Sequence, residues 1–344
     1  MSQQSRNRSL IIIIINKQRK TMNNMKKIGV TALAGSLAMF SVNADISMSG
    51  SAEATYIQGT GAGTGASKGD GIGLSHDINI TGTGELDNGM TYSINTNFAG
   101  QDMASDSVIL TLDMGSLGII AIDQGSGGFG IGTLENEVPT AYEEADHGVG
   151  TLGHGIDAAG DTNVIGYSNT VQGVGISIEV DRDTTTEAYA QAGSGSGALG
   201  SGRSVNYAVT YAVPGFDGLT LAGGQSNTSY SDDTNDSEDT AAINYSIGAI
   251  SVGYQMSHVQ PAASLSAQEI EAMGIAFNVN DQLSVSFSKN DNEQGTITEE
   301  STGFQAAYSM GSASVRLAFN DADNVGGNTG VEAENTELSL VLAF

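Results

Sequence analysis

The chain contains no cysteine and no tryptophan, and only three of its 344 residues are proline. Without cysteine there is no disulfide and no thiolate chemistry. Positive charge is also scarce. There are 12 Lys and Arg against 39 Asp and Glu, a formal net charge of −27. Seven of the 12 lie in residues 1–44, which leaves Lys68, Arg182, Arg203, Lys289 and Arg316 for the rest. A surface this acidic excludes nucleic-acid binding through phosphates and attracts cations instead. After residue 44 no stretch is apolar enough to cross a membrane as a helix. The four histidines, His76, His147, His154 and His258, have no metal-ligand spacing. No motif marks a nucleophile, so the sequence predicts neither an enzyme nor a cofactor.

The first 44 residues contain no acid. Lys26 and Lys27 precede an apolar stretch, Ile28 to Phe40, and Val42-Asn43-Ala44 supplies small residues before Asp45. That order is the layout of an export signal cleaved after Ala44. The segment before it, with Ile11 to Ile15 beside basic residues, reads as leader or as an upstream start. Met22 or Met25 is then the true first residue. Residues 45–344 remain as a single domain.

Glycine is abundant there, and apolar residues recur every second position. Ile78 and Ile80 lead to Asp87-Asn88-Gly89, a tight-turn signal, and Met90, Tyr92, Ile94 and Phe98 lead away. Ile243 to Ile247 turns at Gly248-Ala249 into Ile250, Val252, Tyr254 and Met256. Similar pairs fill the chain and predict about 16 strands of roughly 9–12 residues. Short turns join the strands at one end. Long polar loops join them at the other, at 57–73, 99–106, 125–161, 181–203, 227–239, 258–270, 289–300 and 320–334. The final segment alternates in the same way through Leu338, Leu340, Leu342 and Phe344. An exposed apolar edge is unstable in water, and an open edge is not tolerated in lipid. The last strand is therefore expected to pair with the first, Ile46–Tyr56 against Leu338–Phe344. The fold class is an all-β transmembrane antiparallel barrel with short periplasmic turns and long external loops.

Several short segments carry a resemblance. They are Ile46-Ser47-Met48-Ser49-Gly50, Gly89-Met90-Thr91-Tyr92, Met114-Gly115-Ser116-Leu117-Gly118 and the terminal Leu342-Ala343-Phe344. In this order the chain resembles the 16-stranded general diffusion porins of Gram-negative outer membranes, in the style of alphaproteobacteria. The resemblance implies that the third long loop folds into the barrel and narrows the pore. It implies that three barrels associate, and that Leu340, Leu342 and Phe344 form the terminus read by the barrel-assembly machinery. Outer-membrane lipid, small hydrophilic solutes and cations are the remaining expected partners.

The third long loop, 125–161, carries Glu135, Glu137, Glu143, Glu144, Asp146 and Asp157. Folded inward, its acids would set a negative field at the narrowest point, and as a surface loop they would only be hydrated. Related porins often place basic side chains on the facing wall. Here Asp123-Gln124 stands where they often carry Arg, and Arg316 is the one cation that strand parity turns into the lumen. The expected function is a passive channel that prefers cations. A substrate-selective channel would show an aromatic slide or an ordered polar ladder. A non-conducting structural barrel or adhesin would fill its lumen, and a secreted β protein would need no detergent. Two further motifs carry less. Gly125-Ser126-Gly127-Gly128-Phe129-Gly130 has dinucleotide spacing but no following helix. Asp321, Asp323, Gly326 and Glu332 match a calcium loop, but Val325 occupies a ligand position.

Overall fold

The computed structural model describes residues 45–61, 69–100, 104–124, 128–149, 156, 164–181, 202–230, 235–261 and 266–344. The predicted leader, 1–44, lies outside them. The chain forms β1 (Asp45–Gly61), β2 (Gly69–Glu85), β3 (Thr91–Ala99), β4 (Ala104–Asp113), β5 (Ile119–Gln124), β6 (Val164–Val171), β7 (Val174–Asp181) and β8 (Gly202–Ala212). It continues through β9 (Leu219–Tyr230), β10 (Asn235–Ile247), β11 (Ile250–Gln260), β12 (Gln268–Asn278), β13 (Leu283–Gln294), β14 (Ile297–Met310), β15 (Ala313–Asp323) and β16 (Glu332–Ala343). Each strand lies beside its sequence neighbours, and β16 returns to β1, closing a 16-stranded barrel. Closure leaves no unpaired edge, the condition lipid imposes.

The seam runs antiparallel from Ser51 opposite Ala343, through Tyr56 opposite Leu338, to Gly61 opposite Ala333. Gly50 and Phe344 exchange two backbone hydrogen bonds of 3.0 and 2.9 Å. Pairing thus starts at Gly50, and residues 46–49 have no counterpart on β16.

Alternation decides what faces where. On β16 Leu338, Leu340 and Leu342 are 45%, 41% and 50% exposed, on the outer face. Between them, Glu337 and Ser339 are buried on the inner face. The outer face of the other strands is equally apolar, with Ile80, Ile94, Leu110, Tyr207, Ile243, Phe287, Phe304 and Phe319 all exposed. The inner face holds Asn206, Gln255, Ser286, Gln305 and Asn320. This is a protein turned inside out, with apolar side chains toward lipid and polar ones toward the lumen. The periplasmic turns are tight. Gln172 and Gly173 join β6 to β7 with φ of 53° and 82°. Two positive φ values in a two-residue hairpin match the strand twist.

The strands outrun the expected 9–12 residues in both directions. β5 has six and β1 and β2 have 17 each. Segment 289–300 was expected to be a long loop. Instead β13 runs to Gln294 and β14 starts at Ile297, leaving a two-residue turn. Segments 57–73, 99–106, 227–239, 258–270 and 320–334 are likewise invaded by strand. Backbone pairing satisfies N–H and C=O groups whatever the side chains are. The ladders therefore continue after the greasy alternation has given way to polar residues such as Asp291, Glu293 and Glu300. The connection after β5, at 125–163, is the longest.

Candidate pore constriction

After Gln124 the chain turns into the lumen, and residues 128–149 run along the inner wall. Their first half is held by apolar plugs. Phe129, Ile131, Leu134 and Val138 are all buried. They sit where the wall has no side chain. A Cβ on Gly166 would lie 2.2 Å from the Phe129 ring, and one on Gly224 would lie 2.9 Å from Ile131. On Gly253 and Gly274 it would come within 2.5 and 2.8 Å of Pro139. Atoms do not approach so closely, so glycine at these strand positions makes the seat. Polar wall groups fix the backbone of this half. The Ser177 hydroxyl accepts from the Gly130 N–H at 2.8 Å, and Asn206 Oδ1 accepts from the Ile131 N–H at 2.9 Å. Gln255 accepts from the Glu137 N–H at 2.9 Å and donates to the Leu134 carbonyl at 2.7 Å.

The second half is held largely by polar and ionisable groups, and Val149 at its end is buried against Ala322, Val325 and Ala333. Ser286 Oγ accepts from the Ala141 N–H at 2.8 Å. Asn320 Nδ2 donates to the carbonyls of Glu144 at 3.2 Å and His147 at 2.8 Å. The Tyr142 hydroxyl lies 2.7 Å from Glu337 Oε1 on β16 and 3.4 Å from Glu53 Oε1 on β1. His147 Nε2 lies 2.9 Å from Glu337 Oε2, and its Nδ1 is 3.7 Å from Glu143. Ser339 donates to Glu53. The Arg316 guanidinium stands 5.2 Å from the centre of the Tyr142 ring, in cation–π range. Burial pushes the carboxyls of Glu137 and Glu143 up from their ordinary range. The Glu337 hydrogen bond raises the affinity of His147 for its proton, against the opposing effect of burial.

The acids expected in this loop have different settings. Glu135 is exposed and Glu143 half-buried. Glu137 accepts from Asn244 at 3.4 Å, and Glu144 accepts from Asn136 at 2.6 Å. Asp146 is 5% exposed. Asp157 falls outside the described residues. Arg316 points inward, as parity predicted, and meets Tyr142. Leu340, Leu342 and Phe344 are exposed on the outer face. Gly125 to Gly127 of the glycine motif are not described, and Gly130 serves the loop seat. Among the described residues no group of three or more His, Asp or Glu side chains could hold a metal ion.

The bonds of the described loop residues given above reach β1 at Glu53, and none of them reaches β2 to β4. The inner face of β2 to β4 is built from amides and hydroxyls joined across strands. Ser93 and Thr111 are 2.6 Å apart, Asn95 donates to Thr81 at 2.7 Å, and Asn97 donates to Asn79 at 3.1 Å. Among the described residues of β1–β5 there is no Lys or Arg. Below the loop, a space of about 460 Å³ is lined by Asp113, Thr133, Ser168, Ser177 and Thr210.

Sequence reading missed Glu53, Glu337 and the seat glycines. The same parity that turned Arg316 inward would have turned both acids inward.

The comparisons agree with this architecture. A porin crystal structure refined at 1.8 Å superposes with a TM-score of 0.64 at 15% identity, covering 87% of this chain and all of that one. An anion-selective porin from Comamonas acidovorans gives 0.61 at 12%, covering 88% and 100%. OmpT of Vibrio cholerae, in trimer form, gives 0.58 at 12%, covering 88% and 99%. No curated protein matches in sequence. The sequence pattern of the family described as Gram-negative porin matches residues 29–343. A closed barrel with a polar lumen, an apolar girdle and that match over most of its length make this chain a member of the Gram-negative porin family, an outer-membrane diffusion channel.

Proposed function

We propose that the chain passes small hydrophilic solutes and ions without a reaction or cofactor, and that it prefers cations. The observation that carries this is an acidic loop set against a wall of amides and hydroxyls. Glu53 and Glu337 add negative charge where the loop meets the wall. Of the described cationic groups near them, Arg316 lies over Tyr142 and His147 bonds to Glu337. Glu135, Glu137, Glu143, Glu144 and Asp146 supply the field from the loop. The Comamonas acidovorans relative is anion-selective, so the sign of selectivity belongs to side chains and not to the fold.

The test is a KCl gradient across a planar bilayer. The reversal potential should show cation selectivity and shrink at high salt, because the Debye length falls from about 10 Å at 0.1 M to about 3 Å at 1 M. Neutralising Glu143 and Glu144 together should reduce it, while neutralising Asp232 and Asp233 should do less. Anion selectivity in the unmodified protein would overturn the reading.

The remaining parts of the reading are biosynthetic. The leader is cleaved after Ala44, which intact mass of the exported protein would check. The barrel-assembly machinery takes up the terminal strand, and three copies associate within outer-membrane lipid. Native mass in mild detergent would test the trimer.

A second reading, selectivity for hydroxylated neutral solutes, is favoured by the ordered ladder on β2 to β4. Liposome swelling that ranks sugars apart from amino acids of equal size would support it.

A further inference from the structure

Apolar plugs hold the inward loop at both ends, Phe129 to Pro139 and Val149 against Ala322, Val325 and Ala333, while the segment between them also carries ionisable contacts, and only those can be switched. Phe129 to Pro139 are plugs in glycine seats, which no change of pH removes. Tyr142 to His147 are held by hydrogen bonds and charge. We propose that His147 is the positioning residue of the constriction: with its proton it holds the polar half of the loop to Glu337, and without it that half loosens. The proposal rests on reading this loop as the constriction.

The surroundings of His147 make its charge matter. From β16 it faces Glu337, with Nε2 at 2.9 Å from Oε2. From the loop it faces Glu143 at 3.7 Å, with Glu144 and Asp146 adjacent in sequence. From β1, Glu53 reaches the same Tyr142 hydroxyl that Glu337 binds. From β15 comes Arg316, the other cation of the cluster, which lies over the Tyr142 ring. An imidazolium can therefore serve Glu337 and Glu143 together, one from each ring nitrogen. A neutral imidazole with its proton on Nε2 still donates to Glu337 but leaves Glu143 and Glu337 to repel each other. Charge-assisted hydrogen bonds are roughly twice as strong as neutral ones.

The direction of the pH effect follows. The Glu337 bond lifts the proton affinity of His147 above the ordinary value of 6.5. The latch is therefore complete below about pH 6.5 and is lost as pH rises through the higher folded-state value. The plugs at Phe129 to Pro139 and at Val149 stay seated, so the segment between them loosens and the loop is not expelled.

The experiment uses the whole barrel. The chain has no cysteine, so a Thr140→Cys variant carries a single spin label on the loop. Single-channel records and label mobility are compared between about pH 6 and about pH 9 for the unmodified residue, His147→Gln and His147→Ala. With His147 present, label mobility should rise with pH, and open-channel fluctuations should become roughly tenfold more frequent, as loss of about 1.4 kcal/mol would give. Glutamine can donate to Glu337 but carries no charge, so His147→Gln should be as mobile at about pH 6 as the unmodified protein is at about pH 9, with no change between the two values. His147→Ala should be loose at both, and if it fails to assemble, the glutamine comparison decides alone. Label mobility independent of pH, or a His147→Gln profile matching the unmodified protein, overturns the proposal. Mobility that rises while conductance stays fixed would uphold the latch and sink the reading of the loop as the constriction.

Discussion

The lumen has two walls built on opposite plans. From β6 round to β16 the wall is clad by the inward loop, and its inner face alternates glycine seats with amides that grip loop backbone. From β2 to β4 none of the loop bonds among the described residues reaches the wall, and on this bare side hydroxyls and amides bond to one another across strands. The clad wall spends its polar groups on the loop, and the bare wall spends them on itself. Among the described residues of that side there is no Lys or Arg to oppose the loop's acids.

The comparison can be broken most severely at a seat. Gly166→Leu puts a side chain where the Phe129 ring lies, and overpacking of this kind costs typically about 1–3 kcal/mol. The loop should lift, raising single-channel conductance and lowering the unfolding temperature. Thr81→Val on the bare wall should leave conductance unchanged.

The charge difference can be erased from the bare side. Asn95→Arg supplies the missing base facing the loop and gives up the bond to Thr81. The reversal potential in a salt gradient should move toward zero or change sign. Roughly 1 kcal/mol of added repulsion is about fivefold in the cation-to-anion ratio.

A smaller effect is expected from Tyr142→Phe. It keeps the ring under Arg316 and removes the hydroxyl from Glu337. Loss of a bond to a charged acceptor costs about 1.5–3 kcal/mol at most, less where lumen water can replace it. The signature is increased current noise with little change in heat-resistant migration on gels.

The smallest change should follow Arg316→Gln, which removes a cation–π contact worth about 0.5–1 kcal/mol. Cation preference should rise slightly. A large rise would mean that Arg316 acts as a free charge in the pore.

The sequence was most readable where lipid imposed a rule. Leu338, Leu340 and Leu342 alternate with Glu337 and Ser339, and that period alone foretold the strand and its two faces. Arg316 was placed by the same rule. The rule fades outside the lipid, so the polar hairpin at Gln294 to Ile297 read as loop while its backbone kept pairing. Glycine misled in another way. Gly166, Gly224, Gly253 and Gly274 look like loose composition in a strand, and only the approach of Phe129, Ile131 and Pro139 reveals them as seats. A space for a partner remote in sequence leaves no local signal. Loop order pointed to the inward segment, but which acids stay exposed depends on contacts such as Asn136 with Glu144.

The seam between β1 and β16 also bears on the order of assembly. The plugs from Phe129 to Pro139 rest on β6 to β12, which are synthesised soon after them. Tyr142 and His147 find Glu337 and Glu53 only once the last strand has met the first. Ring closure and completion of the loop's contacts with Glu337 are then one event. A barrel stalled before its last strand docks would be open at the side, with the loop seated on β6 to β12 but without its contacts to Glu337. Whatever accelerates docking of the last strand therefore also shortens the time during which the membrane is permeable.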